Sequence, residues 1–93
     1  MPLHEAIEQA PTLARLAAAA SQSQARLQVV RGIAPPALAA GLKAGAWDDG
    51  AWTLLAPNSA AAAKLRHLLP QIALALERAG LAAQSVRVKV MRS

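Results

Sequence analysis

The 93-residue chain contains no cysteine, phenylalanine or tyrosine, and only two tryptophans. Without cysteine there is no disulfide, no thiolate nucleophile and no cysteine-based zinc site. Platforms that stack single-stranded bases need aromatic rings, and with only two tryptophans base-specific recognition is not expected. Acids are scarce as well: five Asp/Glu stand against ten Lys/Arg, for a formal net charge of +5. His4 and His67 are too far apart to hold a metal without carboxylates from elsewhere, so neither metal nor cofactor is expected. The longest apolar runs, such as Leu16–Ala20, fall far short of the ~20 residues of a membrane span. Met1 to Glu5 lacks the basic region and apolar stretch of a secretory leader. The expectation is a soluble cytoplasmic protein with no membrane partner.

What the chain does have is alanine, at 25 positions, and leucine, at 14. Its length predicts one small domain with a thin core in which each large side chain matters. The positive balance predicts an anionic partner, nucleic acid first and an acidic membrane or protein second. The competing reading is that the charge only keeps an alanine-rich chain in solution.

Residues 1–10 carry two acids, Glu5 and Glu8, and read as a short helix or a loose segment; residues 11–93 read as the domain. Thr12 is a candidate N-cap for a helix from about Leu13 to Arg31, with apolar positions at Leu13, Leu16, Ala20, Leu27 and Val30. The polar run Ser21–Gln24 predicts a weak point at its centre, and Gly32 an end. Pro35 and Pro36 enforce an extended connection, after which Pro36–Ala40 allows one further turn. Asp49–Gly50, between the strand-like runs Leu42–Trp47 and Ala51–Ala56, is a strong hairpin signal. Asn58 or Ser59 can cap a helix from about Ala60 to Ala79, with Leu65, Leu68, Leu69, Ile72 and Leu76 on one side and Leu74 pointing away. Pro70 predicts a kink or early break near Leu69, and Gly80 a stop. Val86–Val90 alternates β-branched residues with cations and reads as a strand, with Trp52 expected in the core. The order helix, strand, strand, helix, strand predicts an α+β domain of two layers, a three-stranded sheet packed against helices.

Enzymatic readings find little support, and no small-molecule substrate is expected. No glycine grouping has phosphate-loop or dinucleotide spacing. Asp48 and Asp49 are adjacent on a turn and do not converge across a cleft. His67 follows Arg66 and shares a helix face with Lys64, which suits a solvated side chain. The cations carry more information. Lys64, Arg66, Arg78, Arg87, Lys89 and Arg92 follow Ala60 against a single acid, Glu77. Arg87 and Lys89 project opposite the valines, onto an open sheet face if helices cover the valine side. Lys64, Arg66, Arg87, Lys89 and Arg92 are therefore the candidate contacts to a phosphate backbone, without sequence readout. Ordinary solvated faces, or strand cations that deter edge pairing, are the alternative.

Several runs together are familiar: Ile33-Ala34-Pro35-Pro36-Ala37-Leu38, Ala51-Trp52-Thr53-Leu54-Leu55, Asn58 to Arg66, Leu68-Leu69-Pro70, Gly80 and Val86-Arg87-Val88-Lys89-Val90. In this order they resemble the DciA family over roughly residues 11–91. The resemblance implies a KH-like globular domain and a DNA-replication accessory role, as a loader of the replicative helicase DnaB. Two features differ from many members. Alanines stand where a tryptophan precedes the Leu65–Arg66 pair, and the chain runs to Ser93 where others continue into a basic extension. The Gly-X-X-Gly clamp of RNA-binding KH domains is absent, so RNA clamping is not implied. The competing function is a protein-interaction or general nucleic-acid-binding module without helicase loading.

Overall fold

The structure, a computed structural model, describes residues 12–91; the segment 1–10 and Arg92 lie outside the described residues. Thr12 begins the first helix as its N-cap, with its side chain accepting a hydrogen bond from the Arg15 backbone N–H at 3.1 Å. Helix α1 spans Leu13–Ile33 and passes through Ser21–Gln24 without interruption. It outlasts Gly32, the expected end. The stop falls at Ala34, extended at φ −80° and ψ 150°, because the residue before Pro35 is pushed out of the helical region. Helix α2, Pro36–Ala39, is the single extra turn.

Strands β1, Lys43–Asp48, and β2, Ala51–Ala56, form the expected hairpin. Asp49 and Gly50 at its tip have φ of 47° and 97°, the left-handed pair that a two-residue turn matched to strand twist requires. The adjacent aspartates are thus turn chemistry. Asn58 then caps α3, Ser59–Arg78, by accepting from the Ala61 N–H at 2.8 Å. This helix continues through Pro70, where the sequence predicts a kink or break. An interior proline costs about 3 kcal/mol, but Leu65 before it and Ile72 and Leu76 after it are fully buried against the rest of the domain. Their burial outweighs the lost bond, at about 1.5–3 kcal/mol for each such side chain. Gly80, φ 73°, closes the helix: its N–H donates to Glu77 O and that of Leu81 to Leu76 O. This paired closure also folds Leu81 back toward the core.

Strand β3, Ser85–Val90, returns parallel to β2, so the sheet order is β1-β2-β3 with β2 central. The helices cover one face, burying Trp52, Leu54, Ala56 and Val88 against Leu27, Val30, Leu65, Ile72 and Leu76. This is the two-layer α+β architecture expected, consistent with a small KH-like domain.

One polar node fixes the helix layer on the sheet. Ser23 of α1, 2 % exposed, donates its hydroxyl to Gly45 O at 2.6 Å and accepts from Trp52 Nε1 at 2.8 Å. Register shifts at this point: Trp47 pairs with Trp52 and Ala44 with Leu54, so Gly45 and Ala46 together oppose Thr53 in a bulge. Glycine is required there, because a Cβ would sit 2.7 Å from Thr53 O. Ser23→Ala should lower the unfolding free energy by about 1–3 kcal/mol, since it strands a buried indole N–H and a carbonyl. Urea denaturation followed by tryptophan fluorescence measures this.

Candidate nucleic-acid interface

The face of the sheet opposite the helices is where the strand cations gather. Cross-strand partners share a face, so the registers can be read as rows. In one row Lys43 pairs with Leu55 and Leu55 with Lys89; in the next, Thr53 pairs with Arg87; in a third, Asp48 pairs with Ala51 and Ala51 with Ser85. Lys43, Arg87 and Lys89 are exposed, while Leu55 between the two lysines is half-buried. Strand spacing sets the Lys43 and Lys89 backbones about 10 Å apart, and Arg87 lies about 7 Å along β3 from Lys89. The lysine stems can shield Leu55 while their ammonium groups stay in water. The acidic member of this face, Asp48, is at the hairpin end, away from the lysine row.

The sequence-based candidates separate on this surface. Arg87 and Lys89 stand on the open face as expected. Lys64 is on the outward side of α3 and lines a shallow pocket with Pro57 and Asn58, the residues that follow β2. It therefore sits near the lysine end of the sheet. Arg66 lies beside β3, donating from Nη2 to Val88 O at 3.4 Å, which gives it a share in closing that edge. Arg92 lies outside the described residues. Lys43 belongs with Arg87 and Lys89 and was not singled out by the sequence reading. Counting back from the Asp49–Gly50 turn in strict register sets Lys43 opposite Ala56, on the buried face. The bulge at Gly45–Ala46 shifts it by one and turns it to the open side. The usable signal was Gly45 itself, since glycine inside a strand pattern marks such a bulge.

The buried cation is elsewhere. Arg26, 5 % exposed, stacks on Trp47 with its guanidinium carbon 3.8 Å from the ring centroid. It donates to Gln22 O at 2.9 Å and Gln22 Oε1 at 2.7 Å. Desolvation by burial pushes its pKa below the ordinary arginine value. This residue holds α1 against the hairpin and is not available to a ligand. Among the described residues no group of three or more His, Asp or Glu is placed to hold a metal ion, and no helix is long and apolar enough to cross a membrane.

Arg66→Ala should change the unfolding free energy by about 1 kcal/mol or less, because water can replace the donor at an exposed sheet edge. Urea titration of the variant against the parent chain checks it. A family model, described as "Dna[CI] antecedent, DciA", matches residues 2–90. No curated protein matches the chain.

Proposed function

Because the chain belongs to the DciA family, we propose that it is a non-enzymatic DNA-replication accessory protein that binds the DNA backbone and contacts the replicative helicase DnaB to assist its loading. The observation that carries the DNA part is the open sheet face, on which three exposed cations, Lys43, Arg87 and Lys89, gather at the end away from Asp48. Lys64 and Arg66 border this surface, and Arg92 follows directly after the described part of the chain. Flat cationic surfaces contact phosphates without reading bases. The face offers no aromatic ring for stacking, which again favours the backbone over the bases. The mechanism is one of binding energy alone: the protein holds helicase and DNA together, and no bond is made or broken. Such work takes place with the chromosome, in the cytoplasm.

The second reading, a protein-interaction module, draws on a different surface. Ile33 and Leu74 are 42 % and 48 % exposed, and they line a groove between α1 and α3 with Leu68, Gln71, Ala75 and Arg78. Leu74 points away from the sheet, so this groove and the cationic face lie on opposite sides of the domain. The two readings are therefore compatible, with protein on the helix side and DNA on the sheet side.

Each residue that meets a phosphate contributes about −0.9 to the slope of log K against log salt on duplex DNA and about −0.7 on single strands. Replacing Lys43, Arg87 and Lys89 together by alanine should flatten the slope by about 2.7 and 2.1 respectively. The fold should survive, because all three side chains point away from the core. Fluorescence anisotropy with labelled oligonucleotides over a salt series measures this, and an unaltered slope would remove the sheet face from the reading. Leu74→Asp should leave the slope unchanged. If the groove is the helicase contact, it should weaken capture of purified DnaB in the presence of nuclease.

A further inference from the structure

Helix α1 carries three arginines and no acid, and the arginines have separate fates. Arg15 shares a groove with Asp48 and Asp49 at the hairpin tip. Arg26 is buried on Trp47. Arg31, in the last turn, is exposed, and its Nη2 donates to Leu42 O at 3.1 Å. Leu42 directly precedes Lys43, so this bond holds the Arg31 guanidinium at the lysine end of β1. A cation in the last turn of a helix is ordinarily explained by the helix dipole. Here the side chain is drawn to the sheet instead. The bond occupies one of five guanidinium N–H groups, and the planar fork suits a phosphate.

Beside Arg31, the corner between α1 and α2 forms an open concavity of about 700 Å³, lined by Arg31, Gly32, Ala34, Pro36, Ala39 and Ala40. Arg31 is the one charged residue of that lining. The others carry at most a methyl group or a proline ring, and Gly32 has open space where a Cβ would stand. An anionic chain can approach the backbone closely in this corner and meets no carboxylate there. The lining offers no large apolar side chain to anchor a protein segment, which favours a nucleic-acid strand over an acidic peptide.

We infer, building on the DNA-backbone reading of the sheet face, that the bound strand continues past Lys43 into this corner, where Arg31 takes a further phosphate. Lys89, Lys43 and Arg31 then lie in one line across the sheet. Two strand spacings, about 10 Å, separate the lysine backbones, and a third step of about 5 Å reaches the arginine. One strand of a duplex carries a phosphate about every 3.4 Å of axis, so a line of about 15 Å spans about four phosphates. The nucleic acid crosses the β-strands at their lysine end. A path along the strands would bring it toward Asp48 and Asp49 at the hairpin tip.

Arg31→Gln removes the charge and keeps an N–H for Leu42 O, whereas Arg31→Lys keeps the charge. On labelled duplex DNA, Arg31→Gln in the full chain should flatten the slope of log K against log salt by about 0.9. Arg31→Lys should leave the slope at the parent value. Fluorescence anisotropy over a salt series reads both. If Arg31→Gln leaves the slope unaltered while the triple change at Lys43, Arg87 and Lys89 flattens it, the corner contact is overturned and the sheet face stands. If neither flattens it, both fall. Equal flattening by the two Arg31 variants would assign the loss to the bond with Leu42 and overturn the contact as well. A second measurement keeps Arg31 in place. The chain has no native cysteine, so Ala40→Cys can carry a benzophenone maleimide as its one photo-cross-linker. It should cross-link to the duplex at least fivefold more than Ala18→Cys, which lies on α1 about 20 Å from Arg31 and beside the two aspartates. Equal yields overturn the proposal.

Discussion

The Ser23 hydroxyl, held between Gly45 O and Trp52 Nε1, is the constraint from which much of this small domain follows. It lies in a layer with no phenylalanine or tyrosine, where Trp52 is the largest fully buried side chain. An indole can be buried deeply only if its N–H finds an acceptor, and Ser23 supplies it from the middle of a helix. Serine at such a site would otherwise weaken the helix by competing for its backbone. Here its donor goes to the sheet, so the helix remains continuous and the same atom pins it in place. Because the acceptor is the carbonyl of a bulge residue, the bond also stabilises the register shift. That shift turns Lys43 onto the open face. The core and the cationic surface are thus linked through one hydroxyl.

The helices also decide which parts of the sheet remain available. On the β1 side, Arg31 donates to Leu42 O at 3.1 Å and Ser23 to Gly45 O; on the β3 side, Arg66 reaches Val88 O. Sheet edges that present free carbonyls invite pairing with another chain. Side chains from α1 and α3 occupy acceptors on both sides of this sheet, and Lys43, Arg87 and Lys89 further discourage edge-to-edge contact. The broad face is left as the surface on which the strands meet a partner.

The elements whose signals are local were legible in the sequence. Asp49–Gly50 specifies its turn through two positive φ values, Gly80 its helix end, and Val86–Val90 its two faces through alternation. The departures came where distant residues settle the outcome. Gly32 is a local stop signal, but the helix stops two residues later, at Ala34, under the backbone restriction ahead of Pro35. Pro70 is a local breaker, but Leu65, Ile72 and Leu76 hold the helix on both sides of it. Ser21–Gln24 reads as a weak point until Trp52, 29 residues beyond Ser23, supplies the reason for a serine there. The candidate site shows the same division. Arg87 and Lys89 were legible because they alternate with valines within one strand. Lys43 was not, because its face depends on a bulge whose cause lies in a different element.

The arrangement of charge completes the argument about partners. Three cations on one sheet face repel each other, and folding must tolerate that repulsion. At a separation of about 10 Å, Lys43 and Lys89 lie near the Debye length of about 8 Å at physiological salt, so the cost in the free protein is small. The charge still acts on a polyanion, because each phosphate that replaces a mobile anion releases condensed counterions from the nucleic acid. The Arg26 guanidinium makes the contrast. Stacked on Trp47 and bonded to Gln22, it is buried, its pKa is lowered by desolvation, and its charge serves packing. Lys43, Arg87 and Lys89 remain hydrated at the surface, with desolvation still to occur on contact. A domain with so few acids has divided its cations into those spent on its own structure and those left for an anionic partner.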